Sequence, residues 1–334
     1  MSRPFESDRQ RLCEMLCEWT GASAVTSLQS IQSLWSGYGE ILRVRVQDAS
    51  VDSVIAKVID LTAAQEHPRG WASDAGHLRK LRSYDVEQTW YTTYADRCDQ
   101  LCRVATCFGC WRDSDRLVFA LEDLAEAGFQ PLRGGLRDAG IEACLRWLAR
   151  FHARFLGVDG RGLWPTGCYW HWETRQDEWQ AMPESRLKQA ARDIDRRLRK
   201  ANHQAIVHGD AKIANFCFQE DQRDVAAVDF QYVGGGPGIK DVAYLLGGCM
   251  PDERCHADAA DWLERYLQTL HVEVGKLHGK ALADNVVVEW RSLYPVAWAD
   301  FHRFLLGWCP GHSKLTSYSE AMVQRCLQQL ADGR

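Results

Sequence analysis

The chain has 334 residues, of which 46% are hydrophobic, and its formal net charge is −5, from 40 Lys+Arg and 45 Asp+Glu. This composition supports a full hydrophobic core, and it disfavours a disordered chain and a nucleic-acid partner, which needs clustered positive charge. No apolar run approaches the roughly 18 residues of a membrane span, and residues 1–10 carry charges where a signal peptide is apolar, so we expect a cytoplasmic protein without a membrane partner.

The first predicted element is a helix that begins near a capping box formed by Ser7 and Gln10. Strand-like segments follow at residues 31–35, 41–46 and 54–59, with a turn at residues 36–39. A helix is predicted over residues 83–97, followed by strands over 104–111 and 117–121. This first part of the chain is therefore predicted to be rich in strands, with one notable helix.

Two charged residues of this first part lie on inward-facing positions. Lys57 shares a strand face with Ile55 and Ile59, and Glu87 lies within a tyrosine stripe of its helix. A charge on an apolar face is costly unless a partner meets it, so the pattern favours one buried ion pair. The alternative is that Lys57 extends past a sheet edge and that Glu87 is an early-turn helix carboxylate.

The cysteines of the chain allow two interpretations. Cys98, Cys102, Cys107 and Cys110 could form two zinc-ligand pairs, but the pairs are closer together than the roughly 12–20 residues of zinc ribbons. The chain has 13 cysteines, an odd number, and is too large to need a disulfide framework. We therefore expect reduced, mostly buried thiols.

The rest of the chain is predicted to be mainly helical. An apolar stripe over residues 141–155 ends at Gly157 as a C-cap, and a charged helix covers 184–202. A short β insert is predicted at 206–207, 216–218 and 225–229, before helices resume. Strands first and helices later is an α+β order. The aromatic residues within 164–172 and 290–308 either line a pocket for an acceptor or pack between helices, and the same pattern fits both interpretations.

The β insert carries the pattern H-x-D-x-K-x-x-N, formed by His208, Asp210, Lys212 and Asn215, and a strand ending in Asp229 follows it. Phosphoryl transfer needs a cation clamp on the phosphates and a carboxylate that orients the attacking hydroxyl. Asp210 can be that carboxylate, Asn215 and Asp229 offer the oxygen ligands that Mg²⁺ prefers, and Lys212 could neutralise charge on the γ-phosphate. The alternative is an ordinary turn followed by an edge strand.

With these motifs the sequence resembles the aminoglycoside and choline phosphotransferases, and within them the ecdysteroid-kinase-like (CHK kinase-like) branch, from about residue 36 to residue 308. The resemblance implies an α+β, protein-kinase-like two-lobed fold. Its nucleotide-binding lobe would span residues 1–120, its hinge 121–124, and its catalytic and acceptor-binding lobe 125–334. It also implies an ATP- and Mg²⁺-dependent enzyme that moves the γ-phosphate of ATP to a hydroxyl of a small-molecule alcohol.

The resemblance implies a role for each matching residue. The catalytic set is Asp210 as the base, with Lys212 and His208, and the metal ligands are Asn215 and Asp229. The nucleotide-binding set consists of Lys57, Glu87, Ser36, Gly37, Gly39, Glu122 and Leu124.

The sequence departs from the protein-kinase pattern at two positions. Leu42 stands at the third glycine position of the G-x-G-x-x-G loop, and Gln231 replaces the glycine after Asp229-Phe230. The second departure argues against a protein-kinase-style activation switch but leaves metal binding intact. Asp241 is expected to begin a helix and to brace the catalytic loop.

Two other functions compete with this interpretation. A nucleotide-binding pseudoenzyme usually lacks one of Lys57, Asp210, Asn215 or Asp229, and all four are present. A metal-dependent hydrolase would need further histidines with ligand spacing near His208. The acceptor is not encoded in readable motifs, because this fold serves choline, aminoglycoside, steroid, sugar and amino-alcohol kinases alike. The choice between ATP and GTP and the oligomeric state are not encoded in them either.

Overall fold

A computed structural model gives the structure of residues 3–34, 37–62 and 74–333. The chain divides into two compact units, one of Met1–Arg97 with Val104–Gln130 and one of Cys98–Arg103 with Pro131–Arg334. The first unit is built on an antiparallel sheet and the second is mainly helical, which confirms the predicted α+β class.

The predicted lobe division at residues 121–124 does not coincide with these units, since the first unit continues to Gln130. A physical reason is that hydrogen bonds hold the Asp123 side chain in the first unit. Its carboxylate accepts hydrogen bonds from Arg43 Nε at 2.6 Å and from Ser53 Oγ at 2.7 Å.

The first unit contains a five-stranded sheet with the strand order β1-β2-β3-β5-β4. Every neighbouring pair in it is antiparallel. Its elements are α1 (Arg3–Thr20), β1 (Ala24–Ser33), β2 (Gly39–Gln47), β3 (Ser53–Asp60), α2 (Asp74–Thr89), β4 (Cys107–Arg112) and β5 (Arg116–Glu122).

The two faces of β3 explain how this unit positions its lysine. Val54 and Ala56 are fully buried in a core cluster that includes Leu12 and Leu16 of α1. Because side chains alternate along a strand, Lys57 points to the opposite face of the sheet. The same alternation places Lys57 on the strand face that carries Ile55 and Ile59, as predicted.

Several boundaries in the first unit differ from the sequence-based expectations. Helix α1 begins at Arg3, so the residues proposed as a capping box lie inside it. The predicted strand 31–35 is the end of β1, which begins at Ala24; Trp35 lies outside the described residues. Most of β1 is exposed, so it lacks the apolar alternation that marks a half-buried strand. Helix α2 begins nine residues earlier than predicted, and a π-helical turn, Trp90–Tyr94, follows its end at Thr89.

The second unit consists of helices around a small β insert. The short strand β6 (Gln130–Pro131) lies where the chain passes from the first unit to the second. The remaining elements are α3 (Asp138–Arg154), α4 (Gln176–Ala181), α5 (Arg186–Arg199), β7 (Ala205–Val207), β8 (Phe216–Phe218), β9 (Val225–Ala227), β10 (Gly234–Gly236), α6 (Ile239–Cys249), α7 (Asp252–His278), α8 (Lys280–Trp308) and α9 (Ser317–Ala331).

The predicted β insert of the second unit is confirmed as β7 to β9, and the predicted charged helix as α5. The C-cap of α3 is Phe155, not Gly157 as predicted. Gly157 has φ +70° and donates its N–H to Gln204 O at 2.8 Å. Gly157 is therefore needed where the chain reverses direction after the helix, and it does not cap the last carbonyls of α3.

Two expectations from the composition concern the cysteine thiols and membrane-spanning helices. All 13 cysteines are free, but five are buried and eight are half-buried, so the expectation of mostly buried thiols is wrong. Among residues 3–34, 37–62 and 74–333, no helix combines the length and the hydropathy needed to cross a membrane.

Candidate active site

The loop at residues 208–215, here called the motif loop, connects β7 to the β8–β9 hairpin. In the hairpin, Phe216 pairs with Ala227 and Phe218 with Val225. Val228 N–H then donates to Asn215 O at 2.9 Å, so Asp229 returns beside the end of the motif loop, as the sequence predicted. Glycine is required within this loop, because Gly209 has φ +78° and a Cβ there would lie 2.1 Å from Tyr232 O.

Asp210 is the acidic residue of the motif loop, and three side chains donate hydrogen bonds to its carboxylate. Its Oδ2 accepts hydrogen bonds from Lys212 Nζ at 2.9 Å and from Asn215 Nδ2 at 3.0 Å. Its Oδ1 accepts one from Tyr244 Oη at 3.2 Å. Burial raises the pKa of Asp210 above its ordinary value; the Lys212 ammonium opposes that rise and the Asp229 carboxylate adds to it.

The two predicted metal ligands, Asn215 and Asp229, have the chemistry of a hard-cation site. The Asn215 amide nitrogen donates to both the backbone and the side-chain oxygen of Asp210, which leaves the amide oxygen as the atom able to coordinate a metal. Asp229 adopts φ +66°, an uncommon left-handed conformation for a non-glycine residue, which Asp48 and Gln222 also adopt. One carboxylate and one amide oxygen fit Mg²⁺ better than a soft metal.

Asp241 braces the motif loop, as expected from the sequence. It lies in the first turn of α6 with a fully buried side chain. Its Oδ2 accepts from His208 N at 2.7 Å and its Oδ1 from Gly209 N at 3.0 Å. His152 Nε2 of α3 also reaches Oδ2, at 3.1 Å.

His208 is predicted as a catalytic residue, and the structure places its ring inside the protein. The side chain is fully buried, Nε2 donates to Val228 O at 3.0 Å, and Nδ1 accepts from Asp210 N at 3.3 Å. The ring also packs on Phe230, with 4.8 Å between centroids. These contacts fix the backbone of the motif loop and of the strand end that precedes Asp229.

In the first unit, the predicted ion pair is present. Lys57 Nζ donates to both carboxylate oxygens of Glu87 at 2.7 Å, and the two residues are 5% and 1% exposed. Two equal short contacts in a buried environment hold the ammonium in one position. The alternative in which Lys57 extends past a sheet edge is wrong, since β3 lies between β2 and β5.

The turn before β2 contains the predicted phosphate-loop residues, of which Ser36 lies outside the described residues. Gly37 has φ +75° and donates its N–H to Leu34 O at 3.2 Å. A Cβ at Gly39 would lie 2.0 Å from Val58 O, so Gly39 is required for the close approach of β2 and β3. Tyr38 between them is buried, and its hydroxyl contacts His77 Nδ1 at 2.6 Å.

Of the predicted hinge residues, Glu122 is the last residue of β5, and Leu124 lies in the segment that follows. Glu122 N–H donates to Thr106 O at 2.8 Å, and its side chain accepts from Thr106 N at 3.1 Å. Within the described ranges, the Leu124 N–H has no hydrogen-bond partner, so it remains a donor for a bound group. Asp123 between them is buried, and although burial raises its pKa, Arg43 and Ser53 leave it below its ordinary value.

Sequence reasoning missed two residues close to Asp210. Tyr244 lies three positions after Asp241 on α6, so one turn of helix places both side chains on the side that faces the motif loop. That spacing could have identified Tyr244. Lys314 follows α8 and lies with Nζ 4.6 Å from the Tyr244 ring centroid. No local pattern around Lys314 signals this position, because only the packing of α8 brings it there.

Part of the chain is similar to a known protein family. No curated protein matches the sequence. Residues 167–279 match the Ecdysteroid kinase-like family. This matched segment contains the motif loop, both metal-ligand candidates and Asp241.

Solved structures of kinases are similar in fold to this chain. A microcompartment-associated aminopropanol kinase has a TM-score of 0.53 and 17% identity, over 92% of this chain and 93% of that chain. The amicoumacin kinase hAmiN, solved with AMP-PNP, Ca²⁺ and Ami, has a TM-score of 0.50 and 14% identity, over 100% of this chain and 96% of that chain. The protein-kinase-like α+β fold is thereby confirmed, and the match over residues 167–279 confirms the predicted resemblance to the ecdysteroid kinase-like family.

Proposed function

We propose that this chain is an ATP-dependent phosphotransferase that moves the γ-phosphate of ATP to a hydroxyl of a small molecule. The observation that carries the proposal is the buried Asp210 carboxylate, which three side chains hold in place. The pair Asn215 and Asp229 on the adjoining hairpin supports the proposal with the oxygen ligands that a nucleotide-bound metal requires.

In this proposal, Asp210 orients the acceptor hydroxyl and takes its proton. Oδ2 already accepts from Lys212 and Asn215, whereas Oδ1 accepts only from Tyr244. Oδ1 therefore has the spare capacity to accept a hydrogen bond from the substrate hydroxyl and then the proton itself. The raised pKa of Asp210 makes it a better base than an exposed aspartate.

Asn215 Oδ1 and the Asp229 carboxylate would hold the metal, and Mg²⁺ when bound supplies positive charge that offsets the charge of the phosphate oxygens. Lys57, fixed by Glu87, would bind nucleotide phosphates. The Leu124 N–H and the backbone of Glu122 would meet the adenine edge. Gly37 and Gly39, with Ser36, would form the turn that approaches the phosphates.

The two competing functions receive less support. All four residues whose loss marks a pseudoenzyme are present, and Asp210 accepts hydrogen bonds from the side chains of Lys212, Asn215 and Tyr244. For a metal-dependent hydrolase, the described part of the chain offers one cluster of histidine and carboxylates with ligand spacing, at His171, Glu173 and Asp195. That cluster lacks the motif-loop residues, and Arg199 already pairs with both of its carboxylates.

The metal assignment is tested by ligand-dependent thermal stability. A ligand that binds only the folded state raises Tm, so we expect ATP to raise Tm and Mg²⁺ to enlarge the shift. Asp229→Ala should remove the Mg²⁺-dependent part of the shift and keep the part due to ATP alone. The matched control is Asp261→Ala, which removes an exposed aspartate of α7. An unchanged Mg²⁺ effect in Asp229→Ala contradicts the assignment of Asp229.

The ion pair of the first unit allows stability and ATP use to be separated. Lys57→Met removes the ammonium that meets the buried Glu87 carboxylate, and we expect it to lose about 3–5 kcal/mol of unfolding free energy. In Lys57→Met/Glu87→Met the buried charges are gone, so stability should largely return. ATP-dependent turnover should stay low in both variants if Lys57 binds the phosphates.

Chemical denaturation and an ATP-consumption assay on the same preparations measure the two quantities. Normal ATP use by the stable double variant is the result that excludes a nucleotide role for Lys57. Lys280→Met, at the exposed start of α8, controls for the loss of a lysine elsewhere.

A further inference from the structure

Beside Asp210 lies a group of aromatic side chains, here called the aromatic group: Tyr169, Tyr244, Phe301 and Phe304. Tyr244, whose hydroxyl donates to Asp210, packs on Phe301 with 4.9 Å between ring centroids. Tyr169 packs on Phe304 at 5.6 Å, and its hydroxyl lies 3.3 Å from that of Tyr244. Tyr169 is only half-buried, as are Trp308 and Leu315, which pack against the same cluster. The aromatic group therefore has an open side close to the proposed base.

Lys314 provides a positive charge on this side. Its Nζ lies 4.6 Å from the Tyr244 ring centroid and 5.5 Å from that of Phe301. Within residues 3–34, 37–62 and 74–333, no carboxylate lies within salt-bridge distance of Nζ. Burial lowers the pKa of Lys314, while the charge of Asp210 opposes that shift.

The neighbouring cations are different, because each has an anionic partner. Lys212 pairs with Asp210 at 2.9 Å, Lys240 lies 3.6 Å from Asp300, and Arg175 pairs with Glu178 at 2.9 Å. An ammonium that is partly withdrawn from water without an anion costs stability, and contact with ring faces offsets only part of that cost. Such a cost is expected where a ligand completes the interaction.

We propose that Lys314 binds an anionic group of the acceptor, so that the acceptor is an alcohol with a negatively charged group and an apolar or aromatic body. This inference rests on the proposed function, since it assigns the hydroxyl of the same molecule to Asp210. The aromatic group would contact the apolar body, and Lys314 would contact the anion. The ammonium of an amino alcohol would instead face Lys314, and that like-charge contact disfavours binding.

Three probes with one carbon skeleton separate the effects of charge from those of shape. They are 3-phenyllactate, which is an anionic alcohol, 3-phenylpropane-1,2-diol, which is neutral, and phenylalaninol, which is cationic. Binding of each at millimolar concentrations is measured by calorimetry, without nucleotide, so that the result does not depend on turnover. We expect phenyllactate to bind most tightly, then the diol, then phenylalaninol.

Variants of Lys314 test whether this residue causes the order. Lys314→Met keeps the length of the side chain and should weaken phenyllactate binding by about 10- to 100-fold, the usual range for a charge-assisted hydrogen bond. It should change binding of the diol little. Lys314→Glu should reverse the order in favour of phenylalaninol. Lys280→Met, which removes an exposed lysine, should retain the wild-type order.

The outcomes separate this inference from the proposed function. Equal binding of the three probes, tighter binding of phenylalaninol, no binding of phenyllactate, or an order unchanged in Lys314→Met each overturns the inference. The expected order of binding with no phosphate transfer to phenyllactate when Mg²⁺ and ATP are added supports an anion subsite and counts against the assignment of phosphotransfer.

Discussion

Replacing Asp210 by Asn is expected to lower turnover by about 10²-fold or more, the usual scale for the loss of a general base. Asparagine keeps the size of the side chain but removes the proton acceptor and one negative charge. Nucleotide affinity should change little, because Asn215 and Asp229 remain. Turnover and ATP affinity are therefore measured on the same folded variant, with Asp261→Asn, at an exposed position of α7, as the control.

Stability distinguishes this mechanism from a merely structural role for Asp210. Burial raises the pKa of Asp210, so the folded state disfavours the ionised form, and that cost is present once the pH lies above the raised pKa. Asp210→Asn should therefore keep or increase Tm at neutral pH while it lowers turnover by about 10²-fold or more. If Asp210 only held the turn, Tm and turnover would fall together. Near-normal turnover by a well-folded Asp210→Asn protein would refute the proposed role.

The pH dependence of the wild-type rate follows from the same shift. Asp210 accepts a proton only when it is ionised, so the rate should rise with pH through its pKa. Because that pKa is raised, the rise should occur at higher pH than for an exposed aspartate. A rate that stays constant as the pH falls well below neutrality counts against Asp210 as the base.

The β insert of the second unit could be predicted from the sequence because its signals are local. The turn residues at 221–224 separate two short apolar runs, and the spacing alone places Val228 beside Asn215. Strand β1 was only partly predicted for the opposite reason. It is a sheet-edge strand with few buried side chains, so its sequence carries little of the alternation on which the prediction relies.

The site shows the same limit. Lys57 and Glu87 were identified because each is a charge among apolar neighbours, and a buried charge must be paired. The position of the His208 ring could not be derived, since the motif spacing does not say on which side of the backbone a side chain lies. Lys314 is the strongest case: its contact with Tyr244 links α6 to a loop about 70 positions later, and no local period reports it.

Replacing Asp241 by Ala is expected to destabilise the fold strongly. The side chain is fully buried and accepts hydrogen bonds from His208 N and Gly209 N, and His152 Nε2 approaches it at 3.1 Å. Alanine leaves two buried backbone donors and a histidine ring without their acceptor. Breaking such a buried charged network typically costs about 3–5 kcal/mol.

A matched control is available in the first turn of another helix. Asp138 of α3 is exposed and pairs with Arg254 at 3.0 Å on the surface. Asp138→Ala should cost at most about 1 kcal/mol, the usual upper value for an exposed pair. Chemical denaturation of both variants gives the comparison. Equal losses would mean that Asp241 acts only as a helix-terminal charge and does not brace the motif loop.

Acid denaturation gives an independent measure of the Asp241 brace. Burial alone raises the pKa of Asp241, but the hydrogen bond and charge of His152, with further help from His208 and Gly209, leave it below its ordinary value. A carboxyl whose folded pKa is depressed contributes stability above its unfolded pKa, and that contribution is lost as the pH falls through the folded value. Wild-type protein should therefore lose stability over this acidic range more steeply than Asp241→Ala, while the two curves stay separated but parallel near neutrality. Parallel curves throughout the acidic range would show that the ionised Asp241 carboxylate does not stabilise the fold.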